Sequence, residues 1–218
     1  MTLIRICALE ENLTLDASLS RWSKRTLTWC ITGTLPKVSE EDEQAVYTKA
    51  WSLWAKVANI IPVYTTNART ADVRMGAGKI DGPLGTLAQS QLPNGTNSPL
   101  WQTYDTAEAW SPALSKDRWP SGTIPLLITA THELGHVLGL GHSQDRNAVM
   151  FWQLNTNAWE PQTDDIREIQ ARYGPPVALP VPAPPPVPPA GSPYTGDQAM
   201  AAVQAIVERW RGGKCSSC

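Results

Sequence analysis

His132-Glu133-Leu134-Gly135-His136-Val137-Leu138-Gly139-Leu140-Gly141-His142 holds every histidine of a 218-residue chain, three imidazoles within eleven positions. At average residue usage, a chance match to this spacing is on the order of one in 100,000. His132 and His136 stand four apart in a helix-forming run. Both rings therefore leave one helix face about one turn apart and can share a metal. Glu133 lies beside them, within reach of a metal-bound water. His142 is six positions beyond His136, where a continuing helix would carry it away. The chain must break and fold back, and Gly139 is able to take the left-handed backbone this needs. Three neutral nitrogens leave a fourth tetrahedral position for water, the pattern of a catalytic rather than a structural zinc. Zinc lowers that water's pKa to about 7, and Glu133 is placed to take its proton during attack on a carbonyl.

Outward from the motif the pattern is α+β. Thr123 reads as the cap of the motif helix, with Pro125 in its first turn. Ser39 followed by Glu40, Glu41 and Asp42 opens a helix to about Asn59, with Val46, Ala50, Leu53, Trp54 and Val57 on one face. Thr163-Asp164-Asp165 starts a third helix that stops at Gly174. Leu27 to Thr32 alternates like a strand, and short strands follow near 63–65 and 71–75. The stretch 76–122 is rich in Gly, Pro, Asn and Ser. It is too long for a plain connection and reads as a loop pinned by something such as an ion.

A net charge of −2 gives no reason to expect nucleic acid or an acidic membrane surface. No apolar run approaches the roughly 20 residues that span a bilayer. The N-terminus has too short an apolar stretch, and acids at Glu10 and Glu11 too early, for a signal peptide. Four cysteines (Cys7, Cys30, Cys215 and Cys218) are too few and too scattered for a disulfide framework. Ten tryptophans against one phenylalanine suggest flat aromatic surfaces in the core or a cleft. Residues 175–193 form a Pro-rich, extended linker. In the tail, 194–218, Met200, Val203, Val207 and Trp210 are spaced for an amphipathic helix whose docking partner is open.

The motif, ending in Ser143 and followed by Ala148-Val149-Met150-Phe151, resembles the metzincins, and within them the matrixins (the matrix metalloproteinase type). The resemblance extends over much of residues 22–174. Trp22 to Trp29 looks like the family's first strand, Ala71 to Gly76 like its third, and Asp164 to Gly174 like its last helix. It implies a metzincin/zincin-like fold: a twisted five-stranded mixed sheet, three helices, and a zinc in the cleft between upper and lower subdomains. Met150 matches the methionine of the tight turn beneath the zinc. An extracellular location follows from the resemblance alone.

Residues Asp81 to Gln89 are similar to the matrixin loop that wraps a structural calcium, and Tyr104 to Trp110 to the segment completing it. Carried over by position, Asp81, Asp105 and Glu108 supply carboxylates, and Gly82, Leu84 and Thr86 supply carbonyls, a donor set suited to Ca²⁺. Leu84 replaces a glycine of the pattern, and ordinary loop acids are the alternative. Gln89 and Thr103 stand where two histidines of the family's second zinc would be, so one zinc is expected. Leu87 and Ala88 would form the edge strand on which an extended peptide pairs antiparallel. The loop from Trp152 to Pro161 would shape the specificity pocket.

Residues 1–21 form an N-terminal extension of pro-segment length. Cys7, two residues after Arg5 and fifteen before Trp22, falls near the place of the family's zinc-blocking propeptide cysteine. No Gly or Pro follows it, so an incidental thiol is the default and a latency switch the alternative. The leading functional reading is a zinc-dependent endopeptidase acting on proteins or peptides. The other is a catalytically weak, zinc-stabilised binding or structural module.

Overall fold

A computed structural model describes residues 4–7 and 20–177. The sheet holds six strands: β1 (Arg5–Cys7), β2 (Thr26–Ile31), β3 (Ile61–Tyr64), β4 (Val73–Gly78), β5 (Thr86–Ser90) and β6 (Leu100–Asp105). Their spatial order is β1-β5-β6-β4-β2-β3. Only β5 and β6 pair antiparallel; the other pairings in the sheet are parallel. The expected five strands are all present, and the sixth is β1, contributed by the N-terminal extension.

The helices are α1 (Glu40–Val57), α2 (Leu126–Val137) and α3 (Thr163–Tyr173). Ser39 caps α1 through its Oγ, which accepts from Asp42 N at 3.1 Å, and four acids complement the dipole of the first turn. Helix α1 packs against α2, burying Val46, Ala50, Leu53 and Trp54 as the periodicity requires. Trp54 anchors the contact by donating its indole N–H to Thr131 O at 2.8 Å. Trp22, Trp29, Trp51 and Trp110 are also buried, so much of the tryptophan content is core.

Three local readings change. The stretch 76–122, read as a pinned loop with an edge strand only at Leu87 and Ala88, carries β5, β6, a short strand β7 (Trp110–Ser111) and one 3₁₀ turn. Its strands are short, and only same-sheet neighbours make them pay, which Gly- and Pro-rich sequence hides. Pro125 is the N-cap of α2 rather than a first-turn residue, because Ile124–Pro125 is drawn out as β8 against β7. The Thr123 hydroxyl donates to Pro120 O and caps nothing. Residues 22–25 precede β2 instead of belonging to it; Trp22 turns inward and donates to Val137 O at 2.9 Å. The tail, with the helix expected there and the Cys215/Cys218 pair, lies outside the described residues. No helix among the described residues is long and apolar enough to cross a membrane.

Candidate metal centre

Helix α2 is buried along its whole length, so its polar motif residues face protein rather than solvent. The helix ends as the spacing demands. Gly139 takes φ +93°, its N–H donates to His136 O at 2.8 Å, and Leu140 N–H donates to Gly135 O at 2.8 Å. This pair of bonds is a Schellman stop, which reverses the chain and returns His142 toward the helix. Another residue at 139 would be doubly penalised, because an added Cβ would stand 2.5 Å from Ser20 O.

The same reversal orients a ligand. Leu140 O, freed from the helix, accepts from His136 Nδ1 at 2.8 Å, and Val149 O accepts from His132 Nδ1 at 2.7 Å. With both Nδ1 atoms protonated, both Nε2 atoms carry lone pairs, and these lie 3.0 Å apart. Two lone pairs face each other at that distance in a buried site only if something electropositive lies between them. Burial, then the neighbouring imidazoles, lower the pKa of His132 well below the usual value and that of His136 to about 3. Neutral rings are the form that binds a metal.

The donor atoms of His132, His136, His142 and Cys7 all lie within 4.8 Å of one another, and all four residues are buried. Cys7 Sγ is 3.0 Å from His142 Nε2 and 3.5 Å from His136 Nε2. Three imidazoles and a thiol fit a tetrahedral zinc. Cys7, one of two buried free thiols among the described residues, thus lies among the three imidazoles. The signal was non-local: β1 brings Cys7 in by pairing with β5, Arg5 opposite Thr86 and Cys7 opposite Ala88. On its other side, Ile6 N–H donates to Trp152 O (3.2 Å) and Leu154 N–H to Ile4 O (3.1 Å). Residues 4–7 thus lie between two rails, β5 and the segment after Met150.

Glu133 is fully buried, and neither carboxylate oxygen has a completed hydrogen bond. Burial raises its pKa to about 8, opposed by the Ser90 hydroxyl. Met150 lies under α2, where a Cβ at Gly135 would meet its sulfur at 2.2 Å. Its turn is pinned by Asp165 of α3, whose carboxylate accepts from Val149 N (2.8 Å) and Met150 N (3.1 Å). Asp165 was not among the residues singled out for the site. Its signal is the acid at the third position of α3, where it also accepts from Gln162 N at 2.8 Å in a capping box.

Asp81, Asp105 and Glu108 come together at the β4–β5 turn. Asp105 accepts from Asp81 N, Gly82 N and Ala107 N; Asp81 accepts from Thr86 N, and Glu108 from Leu84 N. Burial, with Asp105 and Asp81 nearby, raises the pKa of Glu108. Burial also acts upward on Asp105, but the backbone N–H groups outweigh it and its pKa is lowered. Leu84 takes a left-handed φ of +62° and is 52% exposed. Leu87 and Ala88 lie on β5 and are buried, but β5 is not the edge they were expected to form, because β1 pairs along its outer side.

Residues 21–174 match the sequence profile of the family described as Matrixin. Metalloendoproteinase 1-MMP of Arabidopsis thaliana is 34% identical over 167 residues, covering 71% of this chain and 45% of that protein. Macrophage metalloelastase of Rattus norvegicus is 32% identical over 179 residues, covering 74% of this chain and 35% of that protein. Matrix metalloproteinase-C of Caenorhabditis elegans is 32% identical over 178 residues, 74% of this chain and 30% of that protein. The chain spans less than half the length of these curated relatives.

Proposed function

The chain belongs to the matrixin family, and from that membership we propose that it is a zinc-dependent endopeptidase held latent by its own Cys7. The observation that carries the reading is the convergence of three imidazole nitrogens beside a buried, unpartnered Glu133. His132, His136 and His142 would hold one zinc, as the family implies. When bound, the metal would supply Lewis acidity and an acidified water.

The residues of this chain divide the remaining work. Val149 O and Leu140 O keep the two helix imidazoles in the tautomer that offers Nε2 to the metal. Met150 and Asp165 fix the floor beneath them. Glu133 takes a proton from the attacking water and returns it to the leaving amine nitrogen. A carboxyl lifted by burial is suited to both roles, and a nearby cation draws its pKa back toward neutrality. A purely structural zinc site gains nothing from a buried carboxylate with no partner, which costs free energy. That argues against the binding-module reading.

β1 runs parallel to β5, whereas a substrate on that rail is expected to run antiparallel. The segment therefore uses the substrate's backbone hydrogen bonds in the opposite chain direction, and Cys7 occupies the place a fourth ligand needs. Asp81, Asp105 and Glu108, with the Gly82, Leu84 and Thr86 carbonyls, form the proposed calcium loop. It is supported by three mutually repelling carboxylates that a cation would relieve. The proposed setting is extracellular.

The test is cleavage of a quenched peptide library by zinc-loaded protein lacking the Cys7 thiol, with and without a chelator. Chelator-sensitive turnover is expected, and Glu133→Ala loses roughly 10²–10⁴-fold while retaining zinc. Stoichiometric zinc with no turnover on any peptide defeats the proposal.

A further inference from the structure

We propose that Lys116 and Trp119, on the turn before α2, are positioning residues that set side-chain selectivity by clamping the far wall of the cleft. The inference rests on the endopeptidase reading of the site and deepens it. Residues 4–7 bring Cys7 to the imidazoles along a channel with β5 on one side and residues 152–154 on the other. A peptide reaching the same nitrogens would take that channel, and residues 152–154 would face its side chains. In the present state the wall is joined to the N-terminal segment by Ile6 N–H on Trp152 O, Leu154 N–H on Ile4 O and the Arg5–Gln153 bridge. Each of these contacts goes when the segment leaves. What then holds this end of the wall lies just beyond it, at residues 155–159.

Contacts converge there from elsewhere in the chain. Asn155 Nδ2 donates to Arg146 O at 2.7 Å, and Lys116 Nζ donates to Asn157 Oδ1 at 2.7 Å. The Trp119 and Trp159 rings meet edge to face with centroids 6.3 Å apart, a favoured aromatic geometry. Residues 116–118 form the 3₁₀ turn, closed by Trp119 N–H on Lys116 O at 3.2 Å. Positions three apart eclipse in such a turn, so Lys116 and Trp119 leave one side of it and grip the loop at Asn157 and Trp159. The turn is itself tied to the helix of the first imidazoles. Trp119 donates its indole N–H to Thr123 O at 3.1 Å, and β8 and α2 follow directly. On the loop, Trp159 donates to Thr156 O at 2.9 Å and packs against the core. The clamp thus fixes the wall relative to the helix that carries His132 and His136. A fixed wall admits some side chains and rejects others, whereas a loose one admits both.

The experiment uses the zinc-loaded full chain carrying Cys7→Ala and a panel of quenched peptides that differ in one side chain beside the scissile bond. Trp119→Ala is expected to narrow the kcat/KM ratio between the best and worst peptide about tenfold, through KM rather than kcat. Trp119→Phe, which keeps an aromatic ring, keeps the parent's ratio. Lys116→Ala changes an exposed side chain and narrows the ratio in the same direction by about threefold. Trp119→Ala and Trp159→Ala together add little beyond either alone, because both act through one contact. A ratio unchanged in Trp119→Ala and Lys116→Ala, or an equal loss on every peptide, overturns the proposal. A second readout needs no turnover: the spread of dissociation constants across the same panel, measured on zinc-loaded Glu133→Ala. That spread is expected to narrow when Trp119→Ala is added. A spread indifferent to Trp119, or a parent with no spread to narrow, overturns the proposal. A parent that binds selectively but cleaves nothing defeats the endopeptidase reading alone.

Discussion

Cys7 Sγ stands 3.0 Å from His142 Nε2, across 135 residues of sequence. Cys7→Ser is accordingly expected to raise initial turnover by tenfold or more, tenfold being about 1.4 kcal/mol of lost blocking contact. Alkylation of the native chain should proceed slowly, because the thiol is fully buried and reacts only when the segment opens. Peptidase assays before and after thiol modification check this; equal activity in Cys7→Ser and the native chain would sink the latency reading.

Gly139 holds φ +93° with Ser20 O where a Cβ would go. Gly139→Ala should destabilise the fold by about 1–3 kcal/mol. It should also weaken zinc binding, since the same turn aims His136 and returns His142. Thermal melts with and without zinc separate the two losses. A variant with native melting temperature and native zinc affinity contradicts the account of this turn.

Glu43 is fully buried at the start of α1. Burial raises its pKa to about 7, with the Leu35 N–H opposing and Glu40 adding. The fold therefore prefers the protonated form. Its stabilising contribution is complete below the ordinary glutamate range and is lost as pH rises through about 7. Glu43→Gln should flatten the fall in stability between pH 5 and 8, which in the native chain amounts to about 2–3 kcal/mol. Urea titrations across that range measure it; parallel pH profiles for the two proteins would refute it.

Calcium at 100 times its dissociation constant should stabilise the protein by about 2.7 kcal/mol if Asp81, Asp105 and Glu108 bind it. The rise in melting temperature should vanish in Asp105→Asn. A native protein whose melting temperature ignores calcium would leave these acids as loop residues satisfied by backbone N–H groups alone.

The parts legible in the sequence are those governed by local spacing. The imidazole pair follows from the helix repeat, the break from Gly139, and the α1 start from Ser39 and its acids. What escaped depends on distant partners. β5 and β6 look like loop because their pairing, not their residues, makes them strands. Cys7 is marked in the sequence only by its distance from Trp22, because β1 becomes a strand only by borrowing an edge from β5. Asp165 looks like a simple helix-start acid until the turn at Met150 is folded against it.

That borrowed edge has a second consequence. With β1 in place, β5 is an interior strand; without it, the N–H and C=O groups along Thr86 to Ser90 become a bare template. An unpaired strand invites any extended chain, including another copy of the same chain. The residues that bring Cys7 to the imidazoles also cover the β5 edge of the sheet. A chain whose residues 4–7 are displaced from β5 should therefore be the more prone to self-association.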